Sequence, residues 1–145
     1  MRSDFVVALH VMGFLTAVDG KPLSSQVLAE TYGTNAVVIR RILAKLSDSG
    51  LVESKRGNGG GTVLAMDPAE ISLRRVYEAI DEKSAILPRY PASDDGPSRI
   101  LEDYVNGILA AAEEELFARL MKISVLEMDQ HLRPAICRLL ERNHL

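Results

Sequence analysis

The chain is poor in several residue types, and each shortage narrows what it can be. It carries one cysteine, Cys137, in 145 residues. A lone thiol excludes an internal disulfide and fits a reducing, cytoplasmic setting. Tryptophan is absent and aromatics make up only 5%, while the apolar share of 47% is ordinary for a globular protein. No apolar run reaches the roughly 18 residues that a membrane span needs. The longest, FVVALHVMGFLTAV, is interrupted by His10 and lacks a small-residue cleavage site, so it reads as a buried helix and not a signal peptide. No nucleophile–base pair, carboxylate pair or metal-ligand spacing stands out, which leaves an enzyme with little support.

An excess of positive charge is also missing. The net charge is −3, which as a total argues against a nucleic-acid partner. The distribution matters more than the total. Residues 1–83 carry ten Lys/Arg against ten Asp/Glu, and residues 84–145 carry seven against ten. The acidic excess therefore sits wholly in the second part. Within Thr34–Arg56, the cations Arg40, Arg41, Lys45, Lys55 and Arg56 outnumber Asp48 and Glu53. A basic patch on an acidic protein is compatible with these counts.

What the chain does have is glycine in one place. SKRGNGGGTVLA (Ser54–Ala65) sets Gly57, Gly59, Gly60 and Gly61 directly after two cations. Glycines at this density serve turns of positive φ, or places where backbone comes very close to something else. A nucleotide cradle is excluded by context: no Lys-Ser/Thr pair closes the loop, and a β-type run follows it in place of a helix. What remains is a tight exposed β-hairpin with a cationic shoulder.

The pattern around this hairpin supplies the architecture. Asp4 to about Val18 reads as a first helix, capped by Ser3 or Asp4, with Phe5, Leu9, Met12 and Leu15 inward. PLSSQVLAETYG gives a short second helix with Ser24 or Ser25 as N-cap and Gly33 as its stop. TNAVVIRRILAKLSDSG gives a third, capped by Thr34 or Asn35 and ended at Gly50. Its Ile39, Ile42, Leu43 and Leu46 form an i, i+3, i+4, i+7 stripe. That stripe turns Ala36, Val37, Arg40, Arg41 and Lys45 outward. Two short strands flank the glycines, and SLRRVYEAIDE returns to helix with Ser72 as cap. The order α-α-α-β-β-α, with a tight turn between the second and third helices, is that of a winged helix-turn-helix. The fold class expected is mainly α with a small β-hairpin wing. KSAILPRYPASDDGPS reads as a linker. Ser98 then caps a long helix to about Lys122 with Ile100, Leu101, Tyr104, Ile108, Leu116 and Leu120 on one wide face. Ser124 and Pro134 are expected to start two further short helices. The division expected is a DNA-binding domain over 1–83, a linker over 84–97 and a helical dimerisation and sensing region over 98–145.

The third helix ending in SGLV, then RG-x-GGG, then a helix ending AIDE, together with SDFVVALHVM at the start, resembles the Rrf-type transcription regulators. That family includes the iron–sulfur cluster regulator, the nitric-oxide-sensing repressor and the cysteine-metabolism repressor. The resemblance covers the first 83 residues closely and the remainder in architecture. It implies a bacterial homodimer on palindromic double-stranded DNA, usually as a repressor, with an unknown small-molecule or protein effector. One departure is large: cluster-binding members carry three cysteines after the AIDE helix, and Lys83–Ser98 has none. A cluster takes about four soft ligands, mostly thiolates. The chain resembles the cysteine-poor branch, with no cofactor and no metal ligands expected.

On this reading the DNA-contacting residues are Asn35, Ala36, Val37, Arg40, Arg41 and Lys45 on the third helix, with Lys55, Arg56, Gly57, Asn58, Gly59 and Gly60 on the wing. Arg40 and Arg41 are placed to read guanine O6/N7, and Arg56 to enter a minor groove or meet a phosphate. The expected dimer interface is the stripe from Ile100 to Leu120. Cys137 and His10 read as core packing, and Glu113–Glu115 as a solvated helix face. The competing function is a winged-helix protein-interaction module without DNA affinity, which a flat dependence of binding on salt would reveal.

Overall fold

The computed structural model describes residues 3–81, 86–91 and 96–142. The elements run α1 (Ser3–Ala17), α2 (Ser25–Tyr32), α3 (Ala36–Asp48), β1 (Val52–Lys55), β2 (Gly61–Leu64), a 3-10 turn (Pro68–Glu70), α4 (Leu73–Ile80), α5 (Gly96–Met121) and α6 (Val125–Arg142). Local chemistry sets most of the boundaries. Ser24 accepts the Val27 N–H, Asn35 the Val37 N–H and Ser72 the Arg75 N–H, each meeting an amide that the first helical turn leaves orphaned. Gly33 closes α2 in the left-handed conformation, and Asn35 opens α3 two residues later.

α1 is the centre of the core. Phe5, Val11, Met12, Phe14 and Leu15 are fully buried, against Leu28 of α2, Ile39, Ile42 and Leu46 of α3, and Val76 of α4. Leu9, expected in the inward stripe, is only half-buried. Neighbours cover α1 on more than one side, so no single stripe describes it. His10, expected in the core, is exposed; its Nδ1 lies 2.9 Å from the Val6 carbonyl and its ring sits 4.8 Å from that of Tyr32.

The hairpin is antiparallel, with Val52 opposite Leu64 and Lys55 opposite Gly61. Leu23 adds a third, one-residue rung by bonding Thr62 in both directions at 3.0 and 2.8 Å. A Cβ on Gly61 would lie 2.6 Å from the Leu23 carbonyl carbon, and one on Gly60 only 2.3 Å from the Lys55 carbonyl oxygen. Both positions therefore answer to the chain's own backbone before any partner arrives.

Two expectations for the C-terminal part change. The long helix opens at Gly96, which puts Ser98 inside its first turn and not at a cap; and in place of two short helices, α6 is continuous through Pro134. Proline removes one helical N–H, but Gln130 and Pro134 are both exposed, so water can satisfy the orphaned carbonyl. Ser124 does cap this helix, accepting the Glu127 N–H at 3.0 Å. α6 also packs along α1 at Gly13, where an added Cβ would stand 3.1 Å from Ile136 Cδ1. Val125, Ile136 and Leu140 thereby join the winged domain's core. The boundary expected near residue 98 therefore does not divide two cores. The linker expected over 84–97 lies partly outside the described residues.

The long helix divides along its length. Ile100, Leu101, Tyr104 and Ile108 are 52–74% exposed. Leu120, expected in the same interface, is only 9% exposed and belongs to the chain's own core, with Leu116 half-buried against it. Next to it, Tyr77 of α4 reaches α5, its ring tilted against that of Phe117 with centroids 5.3 Å apart.

Candidate nucleic-acid interface

The outward face of α3 is small and apolar at its centre and cationic at its borders. Val37 is 64% exposed. Ala36, expected beside it on the surface, is half-buried and packs toward the core. Arg40 lies on one border, with its Nε donating to Ser25 Oγ at 3.3 Å. Arg41 lies on the other, its Nη2 2.8 Å from Asp4 Oδ1. Lys45 is turned away from this face: its Nζ donates to the Ile80 carbonyl at 2.8 Å. That contact caps the last turn of α4 with a cation, a favourable placement for a helix C-terminus. The Asn35 side chain is occupied by its cap.

On the wing, Lys55 pairs with Glu53 at 2.7 Å across an exposed surface, a contact worth about 1 kcal/mol or less. Arg56 is exposed and makes no ion pair among the described residues. Gly57, Asn58 and Gly59 form the exposed tip, and Gly60 is half-buried. A groove of about 500 Å³ runs between α3 and the wing. Arg40 and Lys55 line it together with Ser25, Ser47, Ser54 and Thr62. The sequence reading missed these hydroxyls. The signal available was the serine pair opening α2, read only as a choice of cap; its second member, Ser25, accepts a hydrogen bond from Arg40 Nε.

Elsewhere, the 86–91 segment meets α5 at a buried carboxylate. Glu113, expected on a solvated face with Glu114 and Glu115, is 8% exposed. It accepts the Ile86 N–H and pairs with Arg89. Burial pushes its carboxyl up, but the Ile86 N–H, the Arg89 guanidinium and a backbone contact from Leu87 outweigh that and hold it below the ordinary carboxylate range. Asn106 adds a second clasp, accepting the Tyr90 N–H at 2.9 Å and donating to its carbonyl at 3.0 Å. In α6, the buried Asp129 binds Arg133 at 2.8 Å. That hydrogen bond raises the Arg133 pKa against the opposing effect of burial.

A helix pair with a tight turn, its second helix half exposed and a hairpin alongside it, defines a winged helix-turn-helix protein. The chain belongs to the Rrf2 family, described as an iron-dependent transcriptional regulator, whose pattern matches residues 1–130. YwnA of Bacillus subtilis (strain 168), which carries the name of an HTH-type transcriptional regulator, is 30% identical over 84% of this chain and 94% of its own length. In fold, the chain is similar to T. potens IscR, with a TM-score of 0.71 at 19% identity over 93% of this chain and 89% of that one. It is similar also to CymR, the global cysteine regulator of B. subtilis, with a TM-score of 0.67 at 20% identity over 90% and 96%. These relatives are named as regulators and not as enzymes. No described helix is long and apolar enough to cross a membrane.

The residues here do not fit an iron–sulfur cluster. The chain's single thiol, Cys137, is half-buried in α6. Among the described residues no three His, Cys, Asp or Glu side chains gather as metal ligands.

Proposed function

We propose that the protein is a sequence-specific DNA-binding transcription regulator of the bacterial cytoplasm, acting as a symmetric homodimer and repressing from a palindromic operator. The observation that carries this reading is the outward half of α3, with Val37 projecting between two arginines and the glycine hairpin alongside. In the major groove, Arg40 and Arg41 pair with base edges and Val37 meets a thymine methyl. Arg56 enters the minor groove or meets a phosphate, and Lys55 meets a phosphate once its surface pair opens. The exposed Ile100, Leu101, Tyr104 and Ile108 support an isologous pairing through the first half of α5. The effector acts at the α4–α5 junction, because movement there changes the spacing of the two reading helices.

The test uses a duplex selected by the protein from a randomised pool, with affinity followed through a salt series. Affinity is expected to fall steeply with salt as counterions are released. Arg40→Ala or Arg41→Ala is expected to cost about 1–3 kcal/mol on the selected duplex. Lys55→Ala should weaken all duplexes alike and lower the salt slope by about one. A flat salt dependence would favour a protein-interaction module. Anaerobically purified protein is expected to be colourless and to bind with no cofactor added; visible absorbance lost together with binding on oxidation would overturn that.

A further inference from the structure

Arg41 is held by a carboxylate from another helix, 37 positions earlier in the chain. Asp4 lies in the first turn of α1, where the helix dipole favours negative charge. Its neighbour Phe5 is buried edge-on against Tyr77, with ring centroids 5.3 Å apart, so the start of α1 is fixed to α4. The carboxylate is mostly covered, whereas the Arg41 side chain is 56% exposed. The anchor is therefore rigid and the guanidinium faces outward. One contact occupies one of the five N–H donors of the fork and leaves the others for a ligand.

We propose that Asp4 is a positioning residue for sequence discrimination: it holds the Arg41 guanidinium ready for a base edge, and its own charge disfavours contacts made only to phosphate. This rests on the reading of α3 as the helix that meets DNA. An unanchored arginine on an exposed helix samples many rotamers and takes the nearest phosphate as readily as a base. The anchored one has fewer directions open to it. The two effects of the carboxylate act oppositely on two kinds of duplex, which makes them separable.

The experiment compares Asp4→Asn, Arg41→Ala and the double variant on two probes: a duplex selected by the wild-type protein from a randomised pool, and a scrambled duplex of equal length and composition. Folding is checked by circular-dichroism melting, with Asp4→Ser as the substitute should the Asn variant be unstable. Asp4→Asn is expected to weaken the selected duplex about fivefold, the lower end of what a base-reading side chain contributes, and to strengthen the scrambled one. In the Arg41→Ala background the loss on the selected duplex disappears, while the gain on the scrambled duplex persists. Equal changes on both probes, or a selected-duplex loss that survives without Arg41, would overturn the proposal. If Arg41→Ala alone leaves the selected duplex untouched, the assignment of α3 itself fails. If Arg41 matters and Asp4 does not, only this inference fails.

Discussion

Single residues here often carry a different duty from the one their neighbours in sequence suggest. Glu113 stands in a run of three glutamates yet is buried against Arg89 and the Ile86 amide. Its carboxyl is held below its unfolded value. The stabilisation is therefore present in full above the ordinary carboxylate range and fades as pH falls through the folded value. Glu113→Gln is expected to lower the melting temperature at neutral pH, with the gap from wild type closing as pH falls through the ordinary carboxylate range and below it. Melting curves across that range check it; a constant gap would mean that charge plays no part. Arg133→Ala should be more damaging, about 3 kcal/mol or more, because it strands the fully buried Asp129. Neither duty was legible from composition. A charged residue on a helix shows its burial only once the covering segment is known, and 86–91 has no periodicity to announce where it lies.

Elements with strong local signals were the legible part. The caps Ser24, Asn35 and Ser72 sit where spacing puts them, and of the stripe Ile39, Ile42, Leu43 and Leu46 all are buried except Leu43, which is half-buried beside the groove, since the forces involved act within one or two turns. The elements misjudged were those decided at a distance. Pro134 looked like a helix start because its solvent-facing position was invisible, and Leu120 looked like a free stripe residue because its place in the chain's own core is set by tertiary packing. The wing was right in outline, and one of its glycines has a cause inside the chain. Close approach of backbone was one reason to expect glycine here, and at Gly60 the backbone that approaches is the chain's own Lys55 carbonyl. Gly60→Val is accordingly expected to disturb the hairpin itself, lowering the melting temperature as well as DNA affinity. A variant that melts like wild type and loses only affinity would mean that a partner, and not the Lys55 carbonyl, excludes the side chain.

At the scale of the whole molecule, one core joins α3 to the far end of the chain, while the first half of α5 stays outside it. An apolar face of that kind is a hazard in an isolated copy. Ile108→Glu is expected to yield monomers or insoluble protein, as read by light scattering. A soluble dimer surviving the change would move the interface elsewhere, because Leu116 and Leu120 are occupied within their own chain. The Leu23–Thr62 rung has a consequence for anyone building chimaeras. The hairpin is bonded to the residue that leads into α2, with Gly61 pressed against that same residue. A wing transplanted from a relative would arrive without its seat unless the segment around Leu23 travels with it. The exchangeable cassette in this protein is therefore discontinuous: two stretches some forty residues apart, inherited together or not at all.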